Sequence, residues 1–401
     1  MKLPIHRWFR YSAGFSSEWV KSVISNNRTN VTKVLDPFAG SGTTLIASNE
    51  LNVSSVGYEK HPFVRRMANI KLNYEINFEK INKYLYYLSK YKIRTNFIFE
   101  EQPVLLQRCY SAEVLQQLVS FRESYIELDD GSPESEIIWL AITAILRITS
   151  HVGTAQWQYL LPNKIKKNTL TPIVALQNKI IDIIQDIKSF NTKNILSLGN
   201  VIDHDAREIN FVHVEAFDLL ITSPPYPNNY DYADSTRLEM VFWNEISGWS
   251  ELQEKVRSKL IRSCSQHSAA EKLKLDDLLA KTEIIPIKQE LSSVCRELEI
   301  VRHEHGGKKT YHTMIAAYYL DMSKVFISLR KAMKSNSLMC FVIGDSAPYG
   351  VYAPADEWLG KLALNAGFES WNFEKTRDRN IKWKNRKHSV PLKEGRLWIR
   401  G

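Results

Sequence analysis

The stretch from residue 32 to residue 59 constrains the fold of this chain more than any other. The apolar pair Val34-Leu35 leads through Asp36 into a glycine-rich turn at 37–42, and a helical apolar pattern begins at Thr43. A second strand pattern, at residues 55–58, then ends at Glu59. Strand, turn, helix and strand in this order predict the start of a parallel sheet, with the helix crossing from one strand to the next.

The glycine-rich turn predicts a binding site for an anion. Small residues let the backbone approach a ligand closely, and the N–H groups at the start of the following helix attract negative charge. No Lys follows Gly42, as a phosphate-binding loop would require, and the dinucleotide glycine pattern is incomplete. Glu59 ends the second strand, where an acidic residue commonly holds ribose hydroxyls. S-adenosylmethionine carries both a carboxylate and a ribose, so we expect it as the cofactor.

A second motif occupies residues 218–226. Its apolar run indicates a short buried strand, which Pro224 and Pro225 end because proline has no N–H to give to a sheet. A flat polar ring stacked on Tyr226 would bring an exocyclic amino group to Ser223 and to the carbonyls at the strand end. Those oxygens would accept the amino hydrogens. Taken alone, the motif is also compatible with a plain strand end that leaves the sheet in a tight turn.

Asp-Pro-Phe-Ala-Gly-Ser-Gly-Thr-Thr at 36–44 and Thr-Ser-Pro-Pro-Tyr at 222–226 together resemble the motifs of the DNA amino-methyltransferases. The Ser-Pro-Pro-Tyr form is similar to the N4-cytosine branch, since adenine enzymes more often carry Asp or Asn before the prolines. The resemblance covers roughly residues 5–70, 195–245 and 311–400. It implies an α/β, Rossmann-like class I methyltransferase fold: a mixed seven-stranded sheet with helices on both faces, carrying mainly helical insertions.

The motifs and the resemblance together assign the site residues. The expected catalytic residues are Ser223, Pro224, Pro225 and Tyr226. The expected cofactor-binding residues are Phe15, Ser16, Ser17, Asp36, Pro37, Phe38, Gly40, Gly42, Thr43, Glu59, Asp205 and Ser223. Asp205 lies in an Asp-Ala-Arg run that resembles a family segment, although His204 stands where glycine is usual. For Phe15 to Ser17, a helix cap beside a core Phe is the alternative.

Long helical patterns divide the chain, whose 401 residues exceed one ordinary domain. We expect residues 1–70, 191–245 and 311–401 to form the catalytic domain, with helical insertions at 71–190 and 246–310. The first insertion either contacts DNA or only buttresses the core. The second either reads the target sequence or forms a dimerisation hairpin.

The charge distribution favours a polyanionic partner. The net charge is +9, and residues 371–401 contain ten Lys or Arg against three Asp or Glu. A solvated tail would show the same excess, but aromatic residues within this run favour a folded surface. The expected contacts to double-stranded DNA are Tyr230, Arg147, Lys308, Lys309, Arg377, Arg379, Lys382, Lys384, Arg386 and Lys387.

Neither a metal centre nor a membrane segment is expected. The four cysteines are widely spaced, and the His303-Glu304-His305 run has no matching ligand cluster elsewhere. The N-terminus lacks the apolar core of a signal peptide, and the longest strongly apolar stretch, 137–146, is too short to span a bilayer. We therefore expect a cytoplasmic, nucleoid-associated protein of prokaryotic type.

These features favour a site-specific enzyme that methylates N4 of a cytosine flipped out of duplex DNA. The family also implies a separately encoded restriction endonuclease as a possible partner. N6-adenine methylation, methylation of an RNA amino group, and an inactive DNA-binding subunit remain alternatives. C5-cytosine methylation needs a thiolate nucleophile, and no Pro-Cys pair occurs at the second motif. The sequence leaves the oligomeric state open.

Overall fold

The structure is a computed structural model that describes residues 3–11, 14–90, 97–155, 159–191, 199–228, 230–306, 309–379 and 390–401. Its strands are β1 (Lys33–Asp36), β2 (Ser54–Tyr58), β3 (Val152–Thr154), β4 (Leu160–Ile165), β5 (Asn200–Ile202), β6 (Phe217–Thr222), β7 (Met333–Gly344), β8 (Ser370–Arg379) and β9 (Leu392–Arg400). Strands β3 and β4 pair as a separate hairpin, and the other seven form one sheet.

The sheet has the strand order β5-β2-β1-β6-β7-β9-β8. The first five strands in this order are parallel, and β9 is antiparallel to both β7 and β8. This mixed seven-stranded sheet confirms the expected Rossmann-like methyltransferase fold. From β1 the chain moves outwards to β2 and β5, and it then returns to place β6 on the other side of β1. The strand order therefore reverses between β1 and β6.

Helices cover both faces of the sheet. They are α1 (Ser17–Asn26), α2 (Thr43–Glu50), α3 (Pro62–Lys71), α4 (Phe78–Ser89), α5 (Val104–Cys109), α6 (Ala112–Leu128), α7 (Pro133–Thr149), α8 (Pro172–Asn191), α9 (Arg237–Phe242), α10 (Trp249–Lys255), α11 (Ser265–Ala270), α12 (Leu275–Leu279), α13 (Lys288–Val301), α14 (Tyr311–Ala332) and α15 (Ala355–Asn365). Within the described ranges, none of these helices is both long and apolar enough to cross a membrane.

Both faces of β1 are buried at its centre, which explains why the successive residues Val34 and Leu35 are both apolar. Val34 belongs to the apolar cluster that contains Val20 and Ile24 of α1. Its neighbour Leu35 belongs to a different cluster, which contains Phe326 of α14. Successive side chains of a strand point to opposite faces, so the two clusters form the cores on either side of the sheet.

Near the C-terminus the sequence indicates a last strand pair at 368–375 and 396–399, and the methyltransferase resemblance implies that this pair forms an antiparallel edge. The observed strands β8 and β9 form this edge and are longer. The hairpin of β3 and β4 inside the first insertion was not predicted. Its short strands lack a long alternating pattern, so the sequence gives little signal for them.

The first insertion holds the N-terminal segment through Asp186 of α8. This carboxylate accepts hydrogen bonds from the Ile5 N–H, from two nitrogens of Arg7 and from the Trp8 indole N–H, at 2.7–3.0 Å. Asp186 is only 3% exposed. The chain continues from Trp8 directly into Tyr11, so the insertion positions the segment that leads to the glycine-rich turn.

We expect Asp186→Ala to lower the free energy of unfolding by about 3 kcal/mol, because it leaves two buried N–H donors and a charged guanidinium without their acceptor. Chemical denaturation measures this change. Asp182→Ala is the matched control, since Asp182 is 40% exposed and only pairs with Arg7 at 3.4 Å; it should cost about 0.5 kcal/mol or less. Equal losses in the two variants would contradict the anchoring role of Asp186.

Candidate active site

The turn after β1 and the loop after β6 meet at the carboxyl edge of the sheet, where the strand order reverses. The Thr222 hydroxyl donates to Asp36 Oδ1 over 2.6 Å. The Thr44 hydroxyl donates to the Ile221 carbonyl over 3.1 Å. These bonds join the two sequence motifs directly, at the position where open α/β sheets bind their ligands.

A cavity at this edge is lined by both motifs and holds about 800 Å³ of space, part of it open to solvent. Gly40 and Pro225 both line it, so the two loops share one crevice. The predicted site residues on its wall are Pro37, Phe38, Gly40, Glu59, Asp205, Ser223 and Pro225. We call it the first cavity.

Glu59 stands at the tip of β2 with its carboxylate turned to the glycine-rich turn. Its Oε2 accepts from the Gly40 N–H at 3.0 Å, and its Oε1 accepts from the His61 N–H at 2.8 Å. Burial raises the pKa of Glu59 to about 7, although these backbone N–H groups oppose the shift. The carboxylate keeps further lone pairs for a ligand that donates hydroxyl hydrogens.

Asp205 lies across the first cavity beyond β5. Arg207 donates hydrogen bonds to both carboxylate oxygens of Asp205, from Nε to Oδ1 at 2.9 Å and from Nη2 to Oδ2 at 2.6 Å. Burial alone would raise the pKa of Asp205, but the hydrogen bonds and charge of Arg207 outweigh it and lower that pKa. Arg207 also approaches Asp321 of α14 at 3.4 Å. Asp205 is therefore ionised and fixed in orientation.

A second cavity adjoins the first on the side of the N-terminal segment. Among its lining residues are Phe15, Ser16, Ser17 and Thr43, all expected to bind the cofactor, together with His6 and Tyr11. Thr43 is the first residue of α2, so the positive end of that helix faces the cavity. Ser17 is 3% exposed, and its hydroxyl has no hydrogen-bond partner among the described residues. His6 Nε2 is likewise buried and unpartnered within that part of the chain. This arrangement suits an anion.

Two predicted cofactor contacts, Asp36 and Gly42, line neither cavity. Asp36 is buried beneath the crevice and also accepts from the Phe38 N–H at 3.1 Å. Burial raises the pKa of Asp36 to about 6, although hydrogen bonds from Thr222, from Thr44 and from the Phe38 N–H oppose the shift. Gly42 caps α2 with φ at 82°, a left-handed conformation that favours glycine. Both residues shape the turn from below.

Pro224 and Tyr226 lie beside the first cavity without lining it. The Tyr226 ring has the Arg379 guanidinium over it, 5.2 Å from the ring centroid. A Cβ on Gly344 would stand 3.0 Å from Tyr226 Cε2 and 2.7 Å from Arg379 Nη1, so β7 approaches both side chains closely. The Ser223 hydroxyl donates to the Val342 carbonyl of the same strand at 3.2 Å.

The structure corrects the expected DNA contacts of Arg147 and Tyr230. Arg147 forms a bidentate pair with the fully buried Glu239, at 2.5 and 2.9 Å, and donates to the Ser235 carbonyl. Its charge is neutralised by Glu239 inside the protein, and the ion pair connects α7 to α9. Tyr230 is 4% exposed and packs against the Tyr232 ring at 4.1 Å, so it offers no surface to DNA.

The other basic residues expected to contact DNA differ in how accessible their side chains are. Arg379 is largely enclosed by Tyr226 and by the Asp345 carbonyl, to which it donates at 2.9 Å, so it is not a simple phosphate contact. Arg377, 68% exposed and paired with Glu394, and Lys309 lie on the surface. Five expected contacts lie outside the described residues: Lys308, Lys382, Lys384, Arg386 and Lys387. The His303-Glu304-His305 run forms no metal-binding group within the ranges the structure describes.

Two parts of the crevice were not predicted from the sequence. Tyr11 lines both cavities, although only the residues from Phe15 onwards were singled out in its segment. The second insertion supplies a wall between Arg257 and His267. A buried pair between Arg257 and Asp231, at 2.5–3.0 Å, fastens this wall to the loop after β6. The Asp231 carboxylate pairs across 26 residues of sequence, a distance at which no local motif is visible.

Comparison with known proteins gives matches to methyltransferases. Residues 5–70 match the sequence model of a family described as DNA methylase, N6_N4_Mtase. The chain is 25% identical over 405 residues to the Type II methyltransferase M.BsoBI of Geobacillus stearothermophilus, covering 91% of this chain and 79% of that protein. It is 24% identical over 394 residues to the Type II methyltransferase M.AvaI of Nostoc sp., with the same coverage.

Among solved structures, the rRNA methyltransferase aviRa from Streptomyces viridochromogenes aligns over 96% of this chain and 85% of its own. The TM-score is 0.30 and the sequence identity is 9%.

Proposed function

We propose that this chain transfers a methyl group from S-adenosylmethionine to N4 of a cytosine in duplex DNA, in line with its similarity to the DNA amino-methyltransferases. The observation that carries the proposal is the single crevice lined by Gly40 and Pro225. One loop would hold the methyl donor and the other would hold the accepting amino group.

The two adjoining cavities fit the two halves of the cofactor. Glu59 and Asp205 line the first cavity, and their carboxylates suit ribose hydroxyls and an adenine amino group. The start of α2 and the unpartnered Ser17 hydroxyl in the second cavity suit the carboxylate of the methionine part. When bound, the cofactor supplies a methyl group on positively charged sulfur.

Ser223 is the acceptor for the amino hydrogens of the target base in this proposal. Its hydroxyl proton is directed to the Val342 carbonyl, so a lone pair of its oxygen is left to accept. A cytosine amino nitrogen is a poor nucleophile because its lone pair is delocalised into the ring. Hydrogen bonds that draw the nitrogen towards sp3 geometry aim this lone pair, and orientation supplies most of the rate. The amine loses its proton after transfer, so no strong general base is needed.

Tyr226 would receive the target base by stacking once the base has left the duplex. The Arg379 guanidinium and the closely approaching Gly344 backbone hold this ring in place. A ring fixed in this way loses little freedom when the base arrives, which favours a productive orientation.

The Ser before the prolines supports the N4-cytosine assignment, through the resemblance of Ser-Pro-Pro-Tyr to that branch. N6-adenine in DNA is the alternative, since the same acceptor oxygens suit either exocyclic amino group. An RNA amino group is a further alternative acceptor. The relatives are described as Type II methyltransferases, which supports a restriction-modification role with a separate endonuclease, in the cytoplasm.

The parts of the chain would have different roles in this reaction. Residues 1–70, 191–245 and 311–401 would form the catalytic domain. The insertion at 246–310 would line the first cavity and either read the target sequence or form a dimerisation hairpin. The insertion at 71–190 supports the N-terminal segment through Asp186, which favours the buttress over direct DNA reading.

The function is tested by incubating purified protein and labelled cofactor with duplex DNA or with tRNA, followed by digestion to nucleosides. We expect label in N4-methylcytosine from duplex DNA. Tyr226→Ala should lower kcat/KM by about 10- to 100-fold through lost stacking and leave cofactor affinity unchanged, whereas Tyr226→Phe should retain activity. Label in N6-methyladenine or in tRNA alone would replace the proposal with an alternative. Full activity of Tyr226→Ala would refute stacking.

We expect cofactor affinity to rise with pH through about 7, because burial raises the pKa of Glu59 to about 7. Ribose hydroxyls donate to the ionised carboxylate, so binding favours the deprotonated form and releases a proton below this pKa. Calorimetry at pH 6 and pH 8 should differ by up to about tenfold. Residue 59 cannot titrate in the Glu59→Gln variant. This variant should bind the cofactor more weakly and should lack the rise of affinity that comes from ionisation of Glu59. The ionisation of the ligand is common to both proteins, so parallel profiles would contradict the role of Glu59.

A further inference from the structure

Tyr11 stands at the boundary between the two cavities. Of the residues described around them, it alone lines both. Its side chain is 8% exposed. The ring packs on the glycine-rich turn, with Cε1 only 3.4 Å from the position that a Cβ on Gly40 would take. The ring is therefore held against the backbone of the glycine-rich turn, on the wall that the two cavities share.

A ligand that spans both cavities would lie beside Tyr11, the described residue that they share. In S-adenosylmethionine the sulfonium joins the adenosyl part to the aminocarboxypropyl part. If the adenosyl part lies beside Glu59 and Asp205, and the carboxylate lies beside Ser17 and Thr43, the sulfonium falls at the boundary. This step rests on the proposed function.

We propose that Tyr11 contacts the cofactor sulfonium and selects the charged methyl donor over the neutral product. The face of an aromatic ring attracts a cation, and the attraction grows when both are shielded from water. S-adenosylhomocysteine has the same two halves but a neutral sulfur. A contact of this kind strengthens binding of the donor and leaves binding of the product unaffected.

The surroundings of Tyr11 suit this task. Burial, together with the nearby carboxylate of Glu59, raises the pKa of Tyr11 well above its usual range, so the ring stays neutral. Phe15 lines only the second cavity and packs edge-on against Trp19 at 5.8 Å. Phe38 lines only the first. Neither of these rings borders both cavities as Tyr11 does.

The arrangement also bears on the release of the product after methyl transfer. Ser223 and Pro225 line the same first cavity as Tyr11, from the loop after β6. A sulfonium held against Tyr11 is therefore placed within the crevice that the target amino group enters. Exchange of product for donor becomes favourable once the charge has been lost.

The experiment is calorimetric titration of the full-length protein with S-adenosylmethionine and with S-adenosylhomocysteine. The quantity measured is the ratio of the two dissociation constants. We expect Tyr11→Phe to keep the wild-type ratio, and Tyr11→Leu to shift it by about 3- to 30-fold against the charged ligand. Phe15→Leu is the matched control and should weaken both ligands alike.

Replacing Tyr11 by pentafluorophenylalanine retains the ring shape and reverses its charge distribution, which covers the case in which Tyr11→Leu fails to fold. The ratio should shift in the same direction as in Tyr11→Leu. Equal weakening of both ligands, or an unchanged ratio in the fluorinated variant, would overturn the sulfonium contact while leaving the proposed function in place. A wild-type protein that binds neither ligand would instead overturn the proposed cofactor, and this inference with it.

Discussion

The hydrogen bond from Thr222 to Asp36 is the interaction on which the rest of the site depends. It is buried, 2.6 Å long, and it joins the ends of two adjacent parallel strands. Each strand end begins a different loop, one rich in glycine and the other containing two prolines. Because a buried carboxylate is costly unless it is hydrogen-bonded, Asp36 favours the arrangement in which both loops keep their positions. The crevice above this bond follows from it.

The insertions hold the crevice from outside through buried ion pairs. Arg147 with Glu239 joins the first insertion to the helix after the proline loop. Arg257 with Asp231 joins the second insertion to that loop itself. Removing one partner of a buried pair costs far more than a surface pair contributes. Each insertion thus contacts the loop after β6, or the helix that follows it, through an ion pair that is sensitive to substitution.

Much of the fold and part of the site could be predicted from the sequence, because consecutive residues determine the structure of those parts. The glycine-rich turn and the Ser-Pro-Pro-Tyr loop carry their geometry in consecutive residues, and the strand–helix–strand pattern around Gly40 gives the start of the sheet. Arg147 was misassigned because a lone Arg on an apolar helix shows no sign of a partner 92 residues away. Tyr11 was missed because its role depends on two cavities that only the folded chain brings together.

The claim that both loops form one ligand crevice can be measured by hydrogen–deuterium exchange with and without S-adenosylmethionine. The account predicts slower exchange at the backbone amides of Gly40 and of Ser223 alike, since both residues line the first cavity. The exposed turn at Gly131, far along the chain, should be unaffected. Protection confined to the glycine-rich turn, with the amides around Ser223 unchanged, would contradict it.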